Sequence, residues 1–74
     1  MEELELLGKN IKRIRLNKGY SILRVSKKLY VTPQALSLWE HGGGMSLENF
    51  IRICKLYQVN PKELLSFNTK TDCK

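Results

Sequence analysis

"SKKLYVTPQALSLWEHG", residues 26–42, contains two short helical patterns separated by the connector 30–32. Thr32 is a good helix N-cap, and Pro33 suits the first position of a helix, where no backbone N–H is needed. The glycines that begin at Gly42 end the second pattern. Neither helix is long enough to be stable alone, so we expect other helices to hold the pair in place.

Apolar spacing and capping residues predict an all-α fold with five helices and no strand. Leu4, Leu7, Ile11 and Ile14 recur at steps of 3, 4 and 3, which is typical of one face of a helix. The predicted helices span about residues 3–18, 22–29, 33–40 or 41, 47–57, and a short segment from residue 61.

Each later helix has its own predicted cap and core residues. Ser21, Thr32, Ser46 and Asn60 are the expected N-caps, and Glu63 is placed to complete a capping box with Asn60. The expected core residues of the second to fifth helices are Val25, Leu29, Val31, Leu36, Trp39, Leu47, Phe50, Ile53, Cys54, Tyr57, Leu64 and Leu65. Ser26 is small enough to let a neighbouring helix approach closely.

Length and composition limit the class of protein. Seventy-four residues allow one domain, expected over residues 1–67, with a disordered tail over 68–74. No apolar run is long enough to cross a bilayer, and the acidic N-terminus is unlike a signal peptide, so we expect a cytoplasmic protein with no membrane partner. The two cysteines, Cys54 and Cys73, suggest neither a disulfide framework nor a metal site.

The net charge of +6 is unevenly distributed along the chain. Between Leu6 and Trp39 there are bases but no acid. The bases in this window are Lys9, Lys12, Arg13, Arg15, Lys18, Arg24, Lys27 and Lys28. A field of one sign over half of a domain attracts polyanions, of which the phosphate backbone of nucleic acid is the commonest.

Residues 22–41 fit the helix-turn-helix pattern, with apolar residues at the inward positions of both helices and Ser26 at their crossing. The wider frame, "LGKNIKRIR", "VTPQALSLWEHG" and "SLENFIRICKLYQVNPKELL", resembles the lambda-repressor-like, Cro/C1-type (XRE) family over about residues 7–65. This resemblance implies a five-helix domain that binds double-stranded DNA as a two-fold homodimer and regulates transcription, and we expect it to act as a repressor. Its third helix, about residues 33–41, would enter the major groove.

The same resemblance makes the third helix the recognition helix. Its groove-facing residues would be Thr32, Pro33, Gln34, Ala35, Ser37 and Leu38. Gln34 is the strongest candidate for base readout because its amide can bond adenine N6 and N7 together. Thr32 and Ala35 can contact a thymine methyl group, although capping alone explains Thr32.

Two further sets of residues follow from the resemblance. Arg15 and Glu40 match positions that pair in relatives, although Arg15 could instead bind phosphate. Phosphate contacts are expected from Lys9, Arg13, Ser21, Ile22, Arg24, Lys27, Lys28 and His41. The sequence itself does not identify the surface through which a dimer would form; our hypothesis is the region of the fourth and fifth helices with Leu56, Leu65 and Phe67.

The chain departs from the family pattern at three positions. Ile22 replaces a glutamine that opens the second helix and binds phosphate, so only backbone N–H groups and Ser21 remain for that role. Tyr30 stands where glycine is common, so either a left-handed tyrosine costs about 1 kcal/mol or the turn differs. Leu38 is apolar on an outward face, where it can read thymine methyls or bind a protein partner.

These departures support an alternative function. The same fold could serve as a protein-interaction module that uses an apolar surface around Ile22 and Leu38. An enzyme is disfavoured, because His41 is the only histidine and neither cysteine has a basic partner at motif spacing. No cofactor and no small-molecule substrate are expected.

Overall fold

The computed structural model describes residues 2–65, which form five helices and no strand. The helices are α1 Glu2–Asn17, α2 Ile22–Leu29, α3 Pro33–Glu40, α4 Leu47–Tyr57 and α5 Pro61–Leu64. This confirms the all-α, five-helix prediction, with α1 beginning and ending one residue earlier than expected. None of these helices is long and apolar enough to cross a membrane. Phe67 and the predicted tail over 68–74 lie outside the described residues.

Three hydroxyl side chains cap helices as predicted. The Oγ of Ser21 accepts from the N–H of Arg24 at 3.0 Å. The hydroxyl groups of Thr32 and Ser46 each accept from the N–H three residues further on, at 3.1 Å. A cap of this kind contributes about 1 kcal/mol. Together the caps fix where α2, α3 and α4 begin.

The predicted side-chain cap at Asn60 is wrong. Its side chain makes no capping hydrogen bond, although Pro61 occupies the first turn as expected. The backbone carbonyl of Asn60 accepts from the N–H of Glu63 at 2.9 Å. Because that backbone bond already satisfies the N–H that a capping side chain would reach, the short helix needs no side-chain cap.

The helices enclose one apolar core. Ile11, Leu36, Ile53, Tyr57 and Leu64 are completely buried at its centre. The predicted inward residues of the helix-turn-helix agree with this core, since Val25, Leu29, Leu36 and Trp39 are buried and Val31 is partly buried against it. Ser26 is buried as well, as expected for the crossing of α2 and α3.

Two of the predicted core leucines are exposed. Leu47 is 72% exposed and Leu65 is 50% exposed, so their assignment to the core is wrong. Leu47 is the first residue of α4 and Leu65 follows the last residue of α5, and at these ends neither side chain is enclosed by other helices. Both border an apolar groove of about 330 Å³, whose other lining residues are Leu4, Leu7, Met45, Ser46 and Phe50.

The turn between α2 and α3 keeps the left-handed conformation that glycine usually provides. Tyr30 has φ 59° and ψ 42°. The N–H of Tyr30 donates to the carbonyl of Lys27, and that of Val31 donates to the carbonyl of Ser26. Tyr30 therefore ends α2 as glycine would, at a cost of about 1 kcal/mol, and its side chain is 88% exposed.

Helix α1 crosses the end of α3 with its backbone almost in contact. A Cβ atom added at Gly8 would lie 2.6 Å from the carbonyl oxygen of Trp39 and 2.7 Å from that of Glu40. Such distances leave no room for any side chain. The glycine therefore sets how closely α1 and α3 approach each other.

Candidate nucleic-acid interface

Helix α3 has a buried inner face and an outer face open to solvent. Leu36, Trp39 and Glu40 are buried on the inner side. On the outer side Thr32, Pro33, Gln34 and Leu38 are exposed, and Ala35 and Ser37 are partly buried. The sequence-predicted readout residues therefore all retain some access to a partner.

Arg15 and Glu40 form a buried ion pair between α1 and α3. The Nε of Arg15 donates to Oε2 of Glu40 at 2.7 Å, and Nη2 donates to Oε1 at 3.2 Å. The remaining Nη1 donates to the carbonyl of Tyr20 at 2.8 Å. These bonds to Glu40 raise the pKa of Arg15. Because every guanidinium nitrogen is occupied inside the protein, the structure favours the ion pair over a phosphate contact for Arg15.

A second arginine, Arg52 on α4, holds the end of α2. Its Nη2 donates to the backbone carbonyl of Leu29 at 2.7 Å, next to the left-handed Tyr30. A cation at the C-terminal end of a helix is favoured by the helix dipole. The sequence analysis missed this residue because the contact joins positions 23 apart, and no local pattern encodes it.

One group of candidate phosphate ligands meets where α1 passes the end of α3. Lys9 and His41 line a cleft there together with Lys12, which the sequence analysis counted among the bases but did not predict as a phosphate ligand. Glu5 and the buried Glu40 line the same cleft. Nδ1 of His41 is 2.7 Å from the carbonyl of Ser37, and because a carbonyl only accepts, Nδ1 donates this bond. Nε2 can therefore donate to a phosphate only when the ring carries both protons.

A second group of candidate phosphate ligands belongs to α2 and lines a separate hollow. Arg24 and Lys28 line a hollow of about 170 Å³ whose wall includes Leu56 of α4. The guanidinium of Arg24 lies 5.3 Å from the ring centroid of Tyr20. Both bases are exposed, and they line a separate hollow from the cleft that holds Lys9 and His41.

The remaining phosphate candidates do not line either of these hollows, and most of them are exposed, as Lys9, Arg24, Lys28 and His41 also are. Ser21, Arg13 and Lys27 are exposed, and Ile22 is partly buried at the start of α2. Among the described residues, Arg15 and Glu40 form the one ion pair, so the exposed bases between residues 6 and 39 are not neutralised by acids at contact distance. The surface of α1 and α2 thus keeps the positive field expected from the sequence.

Neither a metal-binding cluster nor a reactive thiol is found in the described part of the chain. Between residues 2 and 65 no group of three or more histidine, cysteine or acidic side chains could hold a metal ion. Cys54 is buried, and burial raises the pKa of its thiol. A raised pKa disfavours the reactive thiolate, so Cys54 acts as a core residue.

A family model described as helix-turn-helix matches residues 11–64, which is most of the chain and includes all of α2, α3 and α4. The chain belongs to the Cro/C1-type helix-turn-helix family. Membership of this family makes it a DNA-binding transcriptional regulator.

The fold is similar to that of a solved structure, the restriction-modification controller protein C.AhdI from Aeromonas hydrophila. The TM-score is 0.81 over 86% of this chain and 98% of the other, at 22% sequence identity. At this identity the likeness establishes the fold. No curated protein sequence matches the chain.

Proposed function

We propose that the chain recognises a specific double-stranded DNA sequence by inserting α3 into the major groove, and that it represses transcription from that site. The observation that carries this proposal is the two-sided character of α3. Its inner face is fixed to α1 by a buried ion pair, while Gln34 and its neighbours stand exposed on the outer face. Side chains on a rigidly held helix can be positioned for base readout.

Gln34 is the proposed centre of base readout. It is exposed in the first turn of α3, and a glutamine amide can accept from the N6 amino group of adenine while donating to N7 of the same base. Thr32 directs its hydroxyl to the N–H of Ala35, so its methyl group is the part proposed to meet a base. Pro33, Ala35, Ser37 and Leu38 complete the proposed surface.

Phosphate contacts would position α3 in the groove. We assign them to Lys9, Arg13, Lys27, His41 and the start of α2, where the N–H groups near Ser21 and Ile22 can hold an anion. Arg24 and Lys28 line the separate hollow beside Leu56, so their proposed role is to strengthen the field that attracts DNA. Their direct contribution to phosphate binding should be smaller.

A two-fold homodimer would place two copies of α3 one DNA turn apart, about 34 Å. We propose that the second copy covers an apolar face around Leu47, Ile51 and Leu65, which are all exposed. Leu47 and Leu65 also border the apolar groove. The surface expected from the sequence shares Leu65 with this face. Leu56 is partly buried in the hollow beside Tyr20, and Phe67 lies outside the described residues.

One observation favours a different function, a protein-interaction module. Leu23, Tyr30 and Leu38 are exposed apolar or aromatic residues on the helix-turn-helix unit. Ile22, which the sequence analysis also placed on this surface, is partly buried. Substitutions distinguish the two functions. Recognition of DNA requires Gln34, whereas binding of a protein partner requires Leu38 and is retained in Gln34→Ala.

Selection of bound sequences from random duplexes, followed by affinity measurements at two salt concentrations, tests the proposal. We expect an enriched site. We also expect the logarithm of the binding constant to fall linearly with the logarithm of the salt concentration, with a slope that steepens by about 0.9 for each neutralised phosphate. Gln34→Ala should cost about 1–3 kcal/mol of discrimination against the wrong base and leave non-specific binding intact. Salt-insensitive binding, or unchanged specificity in Gln34→Ala, would contradict the proposal. A reporter gene that carries the enriched site tests repression, with lower expression expected.

A further inference from the structure

The outer face of α3 offers unusual chemistry for reading DNA. Between residues 32 and 40 there is neither arginine nor lysine, and the acid Glu40 is buried in its ion pair. Guanine is most often read by the paired donors of arginine or lysine. The exposed face therefore lacks the usual reader of a G·C pair and offers one amide, from Gln34, beside small or apolar groups.

Leu38 is the largest of these apolar groups. It is 63% exposed, on the same helix as Gln34 and one turn further along. A lone exposed leucine is ordinary on a protein surface. This leucine differs because it stands on the face proposed to enter the major groove, where the apolar group of the bases is the C5-methyl of thymine.

The loop that follows α3 leaves Leu38 uncovered. The N–H of Gly43 donates to the carbonyl of Leu38 at 2.7 Å, so the loop turns tightly against the backbone of this residue. A Cβ atom at Gly43 would lie 2.9 Å from that carbonyl oxygen and 3.4 Å from the Cβ of Leu38. Glycine at 42–44 thus permits the tight turn and places no side chain over the leucine.

We infer, given the proposed DNA-binding function, that Leu38 reads the methyl group of a thymine and that this residue and Gln34 together select a half-site with a core of A·T pairs. Gln34 supplies the hydrogen bonds to adenine, and Leu38 supplies apolar contact to thymine. Both contacts discriminate against G·C pairs, which have no methyl group and a different pattern of donors and acceptors.

Deoxyuridine tests the inference without changing the protein. It lacks the C5-methyl group of thymine but keeps its hydrogen-bonding groups. Each thymine of the enriched half-site is replaced in turn, and affinity for the full chain is measured by fluorescence anisotropy at one salt concentration. We expect one replacement per half-site to weaken binding about fourfold, the effect of one buried methyl group.

A matched pair of variants assigns the methyl contact to one residue. Leu38→Ala should bind the thymine and deoxyuridine duplexes equally well. Leu16→Ala is the control, since Leu16 is 57% exposed on α1, and it should keep the wild-type preference for thymine. Circular dichroism verifies that both variants fold, as expected for exposed positions.

The remaining outcomes overturn the inference in distinguishable ways. Specific binding that no deoxyuridine replacement weakens, or an enriched half-site with a G·C core, overturns the inference and leaves the proposed function intact. The same holds if Leu38→Ala retains the thymine preference, because another residue then reads the methyl group. A protein that prefers no sequence overturns the proposed function as well.

Discussion

Helix α1 makes two contacts of opposite character. Near Gly8 and Arg15 it meets the end of α3 through close backbone approach and a buried ion pair. Near Leu4 and Leu7 it borders the apolar groove, where Leu47 and Leu65 remain exposed. The first contact is short-ranged and directional, whereas the second leaves apolar surface open to water.

This difference separates two tasks within a small domain. Directional contacts define one orientation, since a displaced α3 would lose both the guanidinium–carboxylate geometry and the packing against Gly8. Apolar contact defines orientation weakly but stabilises association with whatever covers it. The α1–α3 contact thus suits a helix that must be held still, and the apolar groove suits a second copy.

The largest expected effect comes from removing the partner of Arg15. Glu40→Ala leaves a buried guanidinium without its carboxylate, which should cost about 3–5 kcal/mol or abolish cooperative unfolding. Urea denaturation followed by circular dichroism measures this loss. Glu48→Ala, at an exposed acid in the first turn of α4, is the control and should cost less than about 1 kcal/mol, the most that its favourable position at the helix N-terminus contributes. A loss at Glu40 as small as in the control would show that the ion pair does not hold α3.

The backbone contact between α1 and α3 should tolerate no methyl group. Gly8→Ala places a Cβ against two carbonyl oxygens and should cost about 1–3 kcal/mol in stability. Because α3 must move to relieve the clash, specific DNA affinity should fall as well. Gly44→Ala is the matched control, since nothing lies within 4 Å of its added Cβ. Equal stability of the two alanine variants would mean that the helices separate without cost.

A charge placed beside the apolar groove should weaken self-association and leave the stability of the fold almost unchanged. Leu47→Lys puts a charge on the proposed dimer surface and should weaken self-association by about tenfold or more, an effect above 1 kcal/mol. Its unfolding free energy should stay close to that of the wild type, because Leu47 is 72% exposed. Sedimentation equilibrium measures association, with Leu16→Lys as the control. Unchanged association in Leu47→Lys would place the dimer contact elsewhere.

The smallest change in stability is expected from a substitution at Tyr57. Its buried hydroxyl has no hydrogen-bond partner among the described residues, so Tyr57→Phe removes an unpaired polar group and should raise stability at neutral pH by up to about 1 kcal/mol. Burial, followed by the charge of Glu40, raises the pKa of Tyr57. The folded state therefore retains the phenolic proton more strongly than the unfolded chain.

The sign of the pH dependence follows from this raised pKa. The protonated phenol of Tyr57 makes its full contribution to the free energy of unfolding below the unfolded-state pKa of about 10. This contribution falls as the pH rises above that value. Denaturation across this range should show a shallower alkaline loss in Tyr57→Phe than in the wild type. Cys54, whose pKa is also raised by burial, accounts for a remaining loss that begins nearer pH 8.5, the approximate pKa of an unperturbed thiol. Identical alkaline profiles would contradict burial of the phenol.

Local features of the fold were predictable from the sequence, and features that depend on neighbouring helices were not. Ser21, Thr32 and Ser46 encode their helix starts locally, so the bounds of α2, α3 and α4 follow from the sequence. Leu47 and Leu65 have the right spacing for a core, but their exposure depends on whether another helix covers them. Periodicity carries no such information.

The candidate site divides in the same way. The outward placement of Gln34 and Leu38 and the pairing of Arg15 with Glu40 both followed from the family resemblance. The contact from Arg52 to the carbonyl of Leu29, and the lack of space at Gly8, depend on how distant segments cross. The division of the bases between two separate hollows likewise required the positions of α2 and α4.

The central claim is that α3, held by its inner face, binds a duplex with its outer face. Amide chemical shifts of the ¹⁵N-labelled chain, recorded during titration with the enriched duplex, test it most directly. We expect the largest changes at residues 32–38 and at the start of α2, with little change along α5. Unchanged shifts in residues 32–38, together with large changes around the apolar groove, would contradict the claim.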